Sequence, residues 1–185
     1  TLFMSSALKG PAETRNLGIS LSRGSWICFI DDDDTFDQSY LFECTRFLSS
    51  NPIIHFFNYN IIKEQRSTNA VLHNEMQKKL IYSIDTEILF IGNFIPINSL
   101  LFPSIIVKQY SFDKYLKSHE DWDFLINLKS KGCIFEGHDM YGPNVHIDIG
   151  NNTRNNSGSK VLDYLSIFRK WPASSIKIQE LRSNE

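Results

Sequence analysis

The chain has 185 residues, 42% of them hydrophobic and 22% charged, with a formal net charge of -2. That is the composition of a soluble globular domain with a real core. A near-neutral balance excludes a broad basic surface for nucleic acid, and no apolar run approaches the roughly 18 residues a bilayer span needs. The start, Thr1 to Ser6, has no basic stretch followed by an apolar core and no initiator Met, so a fragment without a signal peptide is expected. Cys28, Cys44 and Cys133 are far apart among apolar neighbours, the pattern of buried free thiols, which favours a reducing, cytoplasmic setting. The acceptor patterns at Asn151 and Asn155 are read as chance matches in an Asn-rich stretch.

In chain order, Pro11 to Arg23 reads as a helix, with proline suited to its first position and Gly24 to its end. Trp26 to Ile30 is a short, wholly apolar run, expected as a strand buried on both faces. The acidic run Asp31-Asp32-Asp33-Asp34 follows at once. Gln38 to Leu48 reads as a helix burying Leu41, Cys44, Thr45 and Leu48, stopped by Asn51-Pro52. Ile53 to Ile62 reads as one strand, and residues 63–80 as a polar loop or marginal helix.

Leu100 to Val107 reads as a strand interrupted at Pro103. Glu120 to Lys129 is a helix closed by Gly132, and Cys133–Phe135 and Val145–Ile149 are short strands. Asn151 to Ser159 has loop composition, Val161 to Lys170 is a last amphipathic helix, and the polar tail 173–185 is expected to fray. Alternating strands and helices imply an α/β fold with a largely parallel sheet in one catalytic domain over residues 1–172. Ligands of such sheets gather at the carboxyl ends of strands, where the acidic run lies.

Four adjacent carboxylates repel one another unless water, a helix cap or a cation absorbs the charge. In extended backbone Asp31 and Asp33 share one face and Asp32 and Asp34 the other. Two carboxylates on one side at a strand end suit a hard divalent ion, Mn²⁺ or Mg²⁺. The same run also suits a solvated loop capping the helix near Gln38. An EF-hand is excluded, because its required glycine and glutamate fall on Phe36 and Phe42. Ile30 to Thr35 further fits the strand-then-DxDxT pattern of haloacid-dehalogenase-like phosphatases, with Asp31 as nucleophile and Asp33 as acid/base.

At the second acidic cluster, steps of three and four from Asp121 reach Phe124, Leu125 and Leu128, so Asp121 begins the buried stripe of its helix. An inward carboxylate at a helix N-terminus suits a general base. Ser118 three residues before it equally suits a capping box. Glu120 and Asp123 fall outside the stripe and are expected to be solvated, or Glu120 to bind sugar hydroxyls.

Arg15-Asn16-Leu17-Gly18, then Ser22-Arg23-Gly24, a strand and Asp31-x-Asp33-Asp34 resemble the family 2 glycosyltransferases of the GT-A fold. Glu120 to Phe124 resembles that family's later ED motif, and Asn93 to Ser99 the stretch before it. The resemblance runs from about Gly10 to about Asn152, most of the chain. It implies an inverting transferase that moves a sugar from a nucleotide-sugar, a UDP-sugar, to a saccharide or lipid-linked acceptor in bacterial polysaccharide synthesis. Arg15, Asn16, Asp31, Asp32 and Asp33 would face the donor, although Asp32 itself points away from the working side. Asp33, Asp31 and His146 would hold Mn²⁺ or Mg²⁺, with Asp34 accessory, and Asp121 would be the base. Asn93, Pro96, Asn98, Glu120 and Trp122 would meet acceptor or sugar. The family's first, base-binding strand is missing, so the fragment alone is expected to be inactive. The processive QxxRW motif is absent, which points to transfer of one sugar per encounter. Work at the inner membrane face is compatible with such an acceptor, and a non-catalytic carbohydrate-binding module is the remaining alternative.

Overall fold

The computed structural model describes residues 10–66, 71–149, 159–173 and 175–183, arranged around two four-stranded sheets. The chain opens on α1 (Pro11–Leu21), whose proline stands at the start, where a missing N–H costs nothing. β1 (Trp26–Cys28) follows, and a turn through the acidic run leads into β2 (Thr35–Phe36). Next, α2 (Tyr40–Cys44) runs into a 3₁₀ turn over Thr45–Phe47. The buried positions here are Tyr40 and Cys44, whereas Leu41 and Leu48 are exposed, so the expected apolar face of this helix is wrong. Five residues of α-helix tightening into 3₁₀ are too short to carry the spacing that predicted it.

The single strand expected over Ile53 to Ile62 is two, β3 (Ile54–Phe57) and β4 (Tyr59–Arg66). They part at fully buried Asn58. Its Oδ1 accepts from Ile81 N at 2.7 Å and Tyr82 N at 3.0 Å, while its Nδ2 donates to Asp139 Oδ1 at 2.8 Å. These bonds hold the chain where it leaves one sheet for the other. The stretch read as loop or helix contains β5 (Val71–Lys79), which pairs antiparallel with β4.

The interrupted strand near Pro103 is β6 (Leu100–Pro103) followed by α3 (Ser104–Val107). Then come α4 (Glu120–Ser130), β7 (Phe135–His138) and β8 (Pro143–Asp148). The chain ends in α5 (Ser159–Lys170) and α6 (Ile176–Arg182). The tail is not frayed: Ile178 is buried, and Arg182 donates to Phe90 O at 2.6 Å with its guanidinium 4.2 Å from the Phe168 ring centre. The expected loop at Asn151 to Ser159 lies outside the described residues except for Ser159, which opens α5.

The first sheet has the order β1-β6-β3-β7. β6 is antiparallel to β1 and to β3, and β3 is parallel to β7, so three strands share one direction and β6 reverses between them. Two of its three pairings are antiparallel, so the sheet is mixed rather than largely parallel. The second sheet runs β2-β8-β4-β5, with β8 parallel to β4. One face of the first sheet, carrying Ile27, Phe56 and Phe102, packs on α4 in the main core, where Phe112 and Phe124 stack with centres 4.0 Å apart. The other face meets Tyr40, Cys44 and Phe47 in a smaller core. Ile30 is half exposed, so the run after β1 is not buried on both faces. All three cysteines are free thiols, and no helix among the described residues is long and apolar enough to cross a membrane.

Candidate active site

The acidic run leaves β1 as a turn, closed by a hydrogen bond from Asp34 N to Asp31 O at 3.1 Å. Side chains alternate only in extended backbone, so the expected division of the four carboxylates between two faces does not hold. Asp32 is exposed, and Asp31 and Asp33 are half-buried. Asp34 is the most firmly held: its Oδ2 accepts from Asn98 Nδ2 and its Oδ1 from His146 N, each at 2.9 Å. Burial pushes the Asp34 carboxyl up to about 6; the His146 N–H opposes the rise, and the charges of Asp33 and Asp31 add to it.

Arg15 connects this turn to the second acidic cluster. Its Nη2 donates to Asp31 Oδ1 at 2.7 Å and its Nη1 to Glu120 Oε1, while the guanidinium lies 5.6 Å from the centre of the Phe112 ring. Glu120 is only 6% exposed, contrary to the expectation that it is solvated, because the cation reaches it from α1. Burial raises its carboxyl, the charge of Asp121 raises it further, and Arg15 restrains the rise. Asn16 does not reach the acidic turn with a free amide. Its Nδ2 donates to Phe112 O at 2.9 Å and its Oδ1 accepts from Phe112 N at 2.8 Å, so it fixes the segment before α4.

Asp121, half-buried in the first turn of α4, accepts from Asn93 Nδ2 at 3.1 Å. The capping-box alternative is not realised. The N-cap is His119, at φ 58, with no side-chain cap, and the Ser118 hydroxyl donates to Asp163 Oδ2 at 3.0 Å. Asp163, on α5, also accepts from Lys117 N at 3.0 Å and Ser118 N at 2.8 Å. Asp123 is 2% exposed rather than solvated, held by Lys170 Nζ at 2.8 Å and Trp171 Nε1 at 2.7 Å.

Among the expected acceptor contacts, Asn93 is exposed beside Asp121 and Pro96 is half-buried. Trp122 is a correction: it is fully buried and donates from Nε1 to Leu89 O at 2.7 Å, a core residue of α4. Asn98 is buried too and serves Asp34.

His146, on β8, is fixed at both ring nitrogens. Nδ1 meets Glu64 Oε1 and Nε2 meets the Thr35 hydroxyl, each at 2.9 Å. With Nδ1–H donated to Glu64, the Nε2 lone pair accepts from the Thr35 hydroxyl, and a cation at this nitrogen would have to displace that bond. Carboxylates and an imidazole are donor types that suit Mn²⁺ or Mg²⁺, although among the described residues those of the turn and His146 do not gather their ligand atoms within 4.8 Å of one another. Sequence reasoning missed Glu64, Asp163 and the contact of Thr35 with His146. None carries a local signal, because each acts on a partner at least 45 positions away.

The family model of glycosyl transferase family 2 matches residues 2–106, more than half of the chain. An uncharacterized glycosyltransferase of Haemophilus influenzae is 31% identical over 134 residues, 69% of this chain and 44% of the relative. The chain thus spans less than half the length of that relative. The crystal structure of residues 1–349 of S. aureus TarS matches with a TM-score of 0.59 at 13% identity, covering 94% of this chain and 49% of that one, a likeness of fold. The family match overrides the dehalogenase-like reading of the acidic run. The chain belongs to glycosyl transferase family 2 and has a GT-A-like α/β fold.

Proposed function

We propose that the protein moves one sugar from a nucleoside-diphosphate-sugar, a UDP-sugar, to an acceptor hydroxyl with inversion and with help from Mn²⁺ or Mg²⁺. The observation that supports this best is Arg15, whose guanidinium ties Asp31 to Glu120 and so draws two acidic motifs, 89 positions apart, into one site. Membership in the family supports the nucleotide-sugar as donor. A saccharide or lipid-linked acceptor in polysaccharide synthesis, met at the cytoplasmic face of a membrane, completes the reading.

In this reading Asp121 accepts the proton of the acceptor hydroxyl while its oxygen attacks the anomeric carbon from the side opposite the leaving group. The new C–O bond forms as the bond to the diphosphate breaks, and the nucleoside diphosphate departs with the electron pair. Asn93 holds the Asp121 carboxylate in place. Asp33 and Asp31 with His146 would hold the cation, and Glu64 would orient His146. When bound, the ion supplies Lewis-acid stabilisation of the charge on the leaving diphosphate.

The test is release of nucleoside diphosphate from a panel of nucleotide-sugars by the full-length protein, with and without Mn²⁺. Asp121→Asn should keep donor binding and lose transfer by ~10²–10⁴-fold, the usual contribution of a general base. Turnover within a few-fold of the parent overturns that assignment. Asp33→Ala should abolish Mn²⁺-dependent donor binding. A carbohydrate-binding module would release no nucleotide and would bind saccharide equally well without the ion.

A further inference from the structure

The face of the first sheet that packs against α2 carries a polar cluster remote in sequence from the acidic turn. Cys28, Leu101, His55 and Glu136 are register partners in one row across β1, β6, β3 and β7. His138, two residues beyond Glu136, falls on the same face. Gly137 enforces this orientation. It faces the other way, where a Cβ would come within 1.9 Å of Tyr82 O and 2.7 Å of the Phe56 ring. No larger residue fits there, so β7 must turn Glu136 and His138 toward His55.

The result is a compact set of three donors. His138 Nε2 stands 2.9 Å from His55 Nδ1, and one ligand atom from each of His55, Glu136 and His138 lies within 4.8 Å of the other two. Both rings are held by aromatic walls. Trp26 stacks on His55 with centres 5.5 Å apart, and Phe47 and Phe57 flank His138 at 3.9 and 5.3 Å. His55 is 3% exposed, whereas Glu136 is open to solvent, so the cluster has a dry floor and a wet mouth. His55 Nε2 is buried without a hydrogen-bond partner. A proton placed on that atom leaves the Nδ1 lone pair directed at His138.

We propose that His55, Glu136 and His138 form a second metal site, which takes Zn²⁺ and clamps the edge strand β7 to β3. Two imidazoles and one carboxylate are a donor set preferred by zinc over the hard ions that suit the acidic turn. Two nitrogens bound to one tetrahedral zinc at ~2.0–2.1 Å stand about 3.4 Å apart, so the pair needs to open by only about 0.5 Å. The solvent side of Glu136 leaves the fourth position to water. The role is structural, since the site pins an edge strand and holds no group of the proposed transfer reaction.

The experiment titrates Zn²⁺ into the metal-stripped full-length protein in excess Mg²⁺, which occupies the acidic turn, and repeats the titration with Co²⁺ as a visible-absorption probe. The expected result is one equivalent of Zn²⁺, a raised melting temperature and the absorption bands of four-coordinate Co²⁺. Glu136→Gln and His138→Phe should each weaken Zn²⁺ by roughly 100-fold, and the phenylalanine keeps the aromatic packing. Glu136 is exposed, so its variant reports even where the histidine variant does not fold. No Zn²⁺ uptake, no thermal shift, or undiminished binding by Glu136→Gln overturns the proposal.

Discussion

His146 donates its backbone N–H to Asp34 Oδ1 at 2.9 Å, so β8 holds the last carboxylate of the acidic run from one side while Asn98 holds it from the other. Burial raises that carboxyl to about 6 from an ordinary 3.8. A carboxyl that ionises less readily in the folded state costs stability as pH rises above 3.8, and the full cost is present above about 6. Asp34→Asn removes the charge, and Asn98, whose Oδ1 has no partner, can turn to accept from the new amide. In EDTA the melting temperatures of parent and variant should nearly coincide near pH 4, and the variant's should be the higher at about pH 7. A variant less stable at the higher pH contradicts this account.

Arg15 lies between Asp31 and Glu120 with its own side chain only 10% exposed. Arg15→Ala strands the buried Glu120 carboxylate without its counter-charge, which should cost about 3 kcal/mol in urea unfolding. Arg15→Lys keeps the charge but cannot fork between two carboxylates. It should retain most of the stability and lose about 1.4 kcal/mol of transition-state stabilisation, roughly tenfold in kcat/KM. Equal losses of stability in both variants would show that the charge without the fork stabilises nothing, and would overturn this division between charge and geometry.

What the sequence revealed and concealed follows from where the partners of each residue lie. The helix at Pro11, the strand before the acidic run and the helix at Glu120 carry their own breakers and apolar runs, so they were legible. The β4–β5 hairpin was not, because much of it is solvent-exposed, as at Met76, and it shows no alternation of apolar and polar residues. Trp122 was misread because α4 buries residues on nearly every side, so one apolar stripe counted from Asp121 leaves most of its core contacts out. Glu120 and Asp123 are buried acids only because cations arrive from α1 and α5, which no local pattern announces. The turn at Asp31 to Asp34 defeated an argument that assumed extended backbone.

Asn93 is held by its own loop, where its Oδ1 accepts from Ile95 N at 3.2 Å, and it presents Nδ2 to Asp121. That makes it a positioning residue for the proposed base. Asn93→Ala should lower kcat by roughly tenfold while leaving the KM for donor nearly unchanged, because the lost bond orients one carboxylate and contacts no part of the nucleotide. Steady-state kinetics on donor and acceptor separate the two constants, and a rise in donor KM with kcat intact would assign Asn93 to substrate binding instead.

Asp163 acts from further away on the turn that carries the proposed base. Three bonds converge on one of its oxygens, from Lys117 N, Ser118 N and the Ser118 hydroxyl, and they fix the chain where His119 takes its left-handed conformation and α4 begins. Asp163→Ala leaves one exposed and one half-buried backbone donor to water or to nothing, which should cost about 1–2 kcal/mol and slow transfer while donor binding persists. Asparagine retains one carbonyl oxygen and can accept all three bonds, although without charge assistance. Asp163→Asn should therefore recover most of the activity lost in the alanine variant. If asparagine performs no better than alanine, the charge at the end of the loop, and not its hydrogen-bond geometry, holds the turn that carries Asp121.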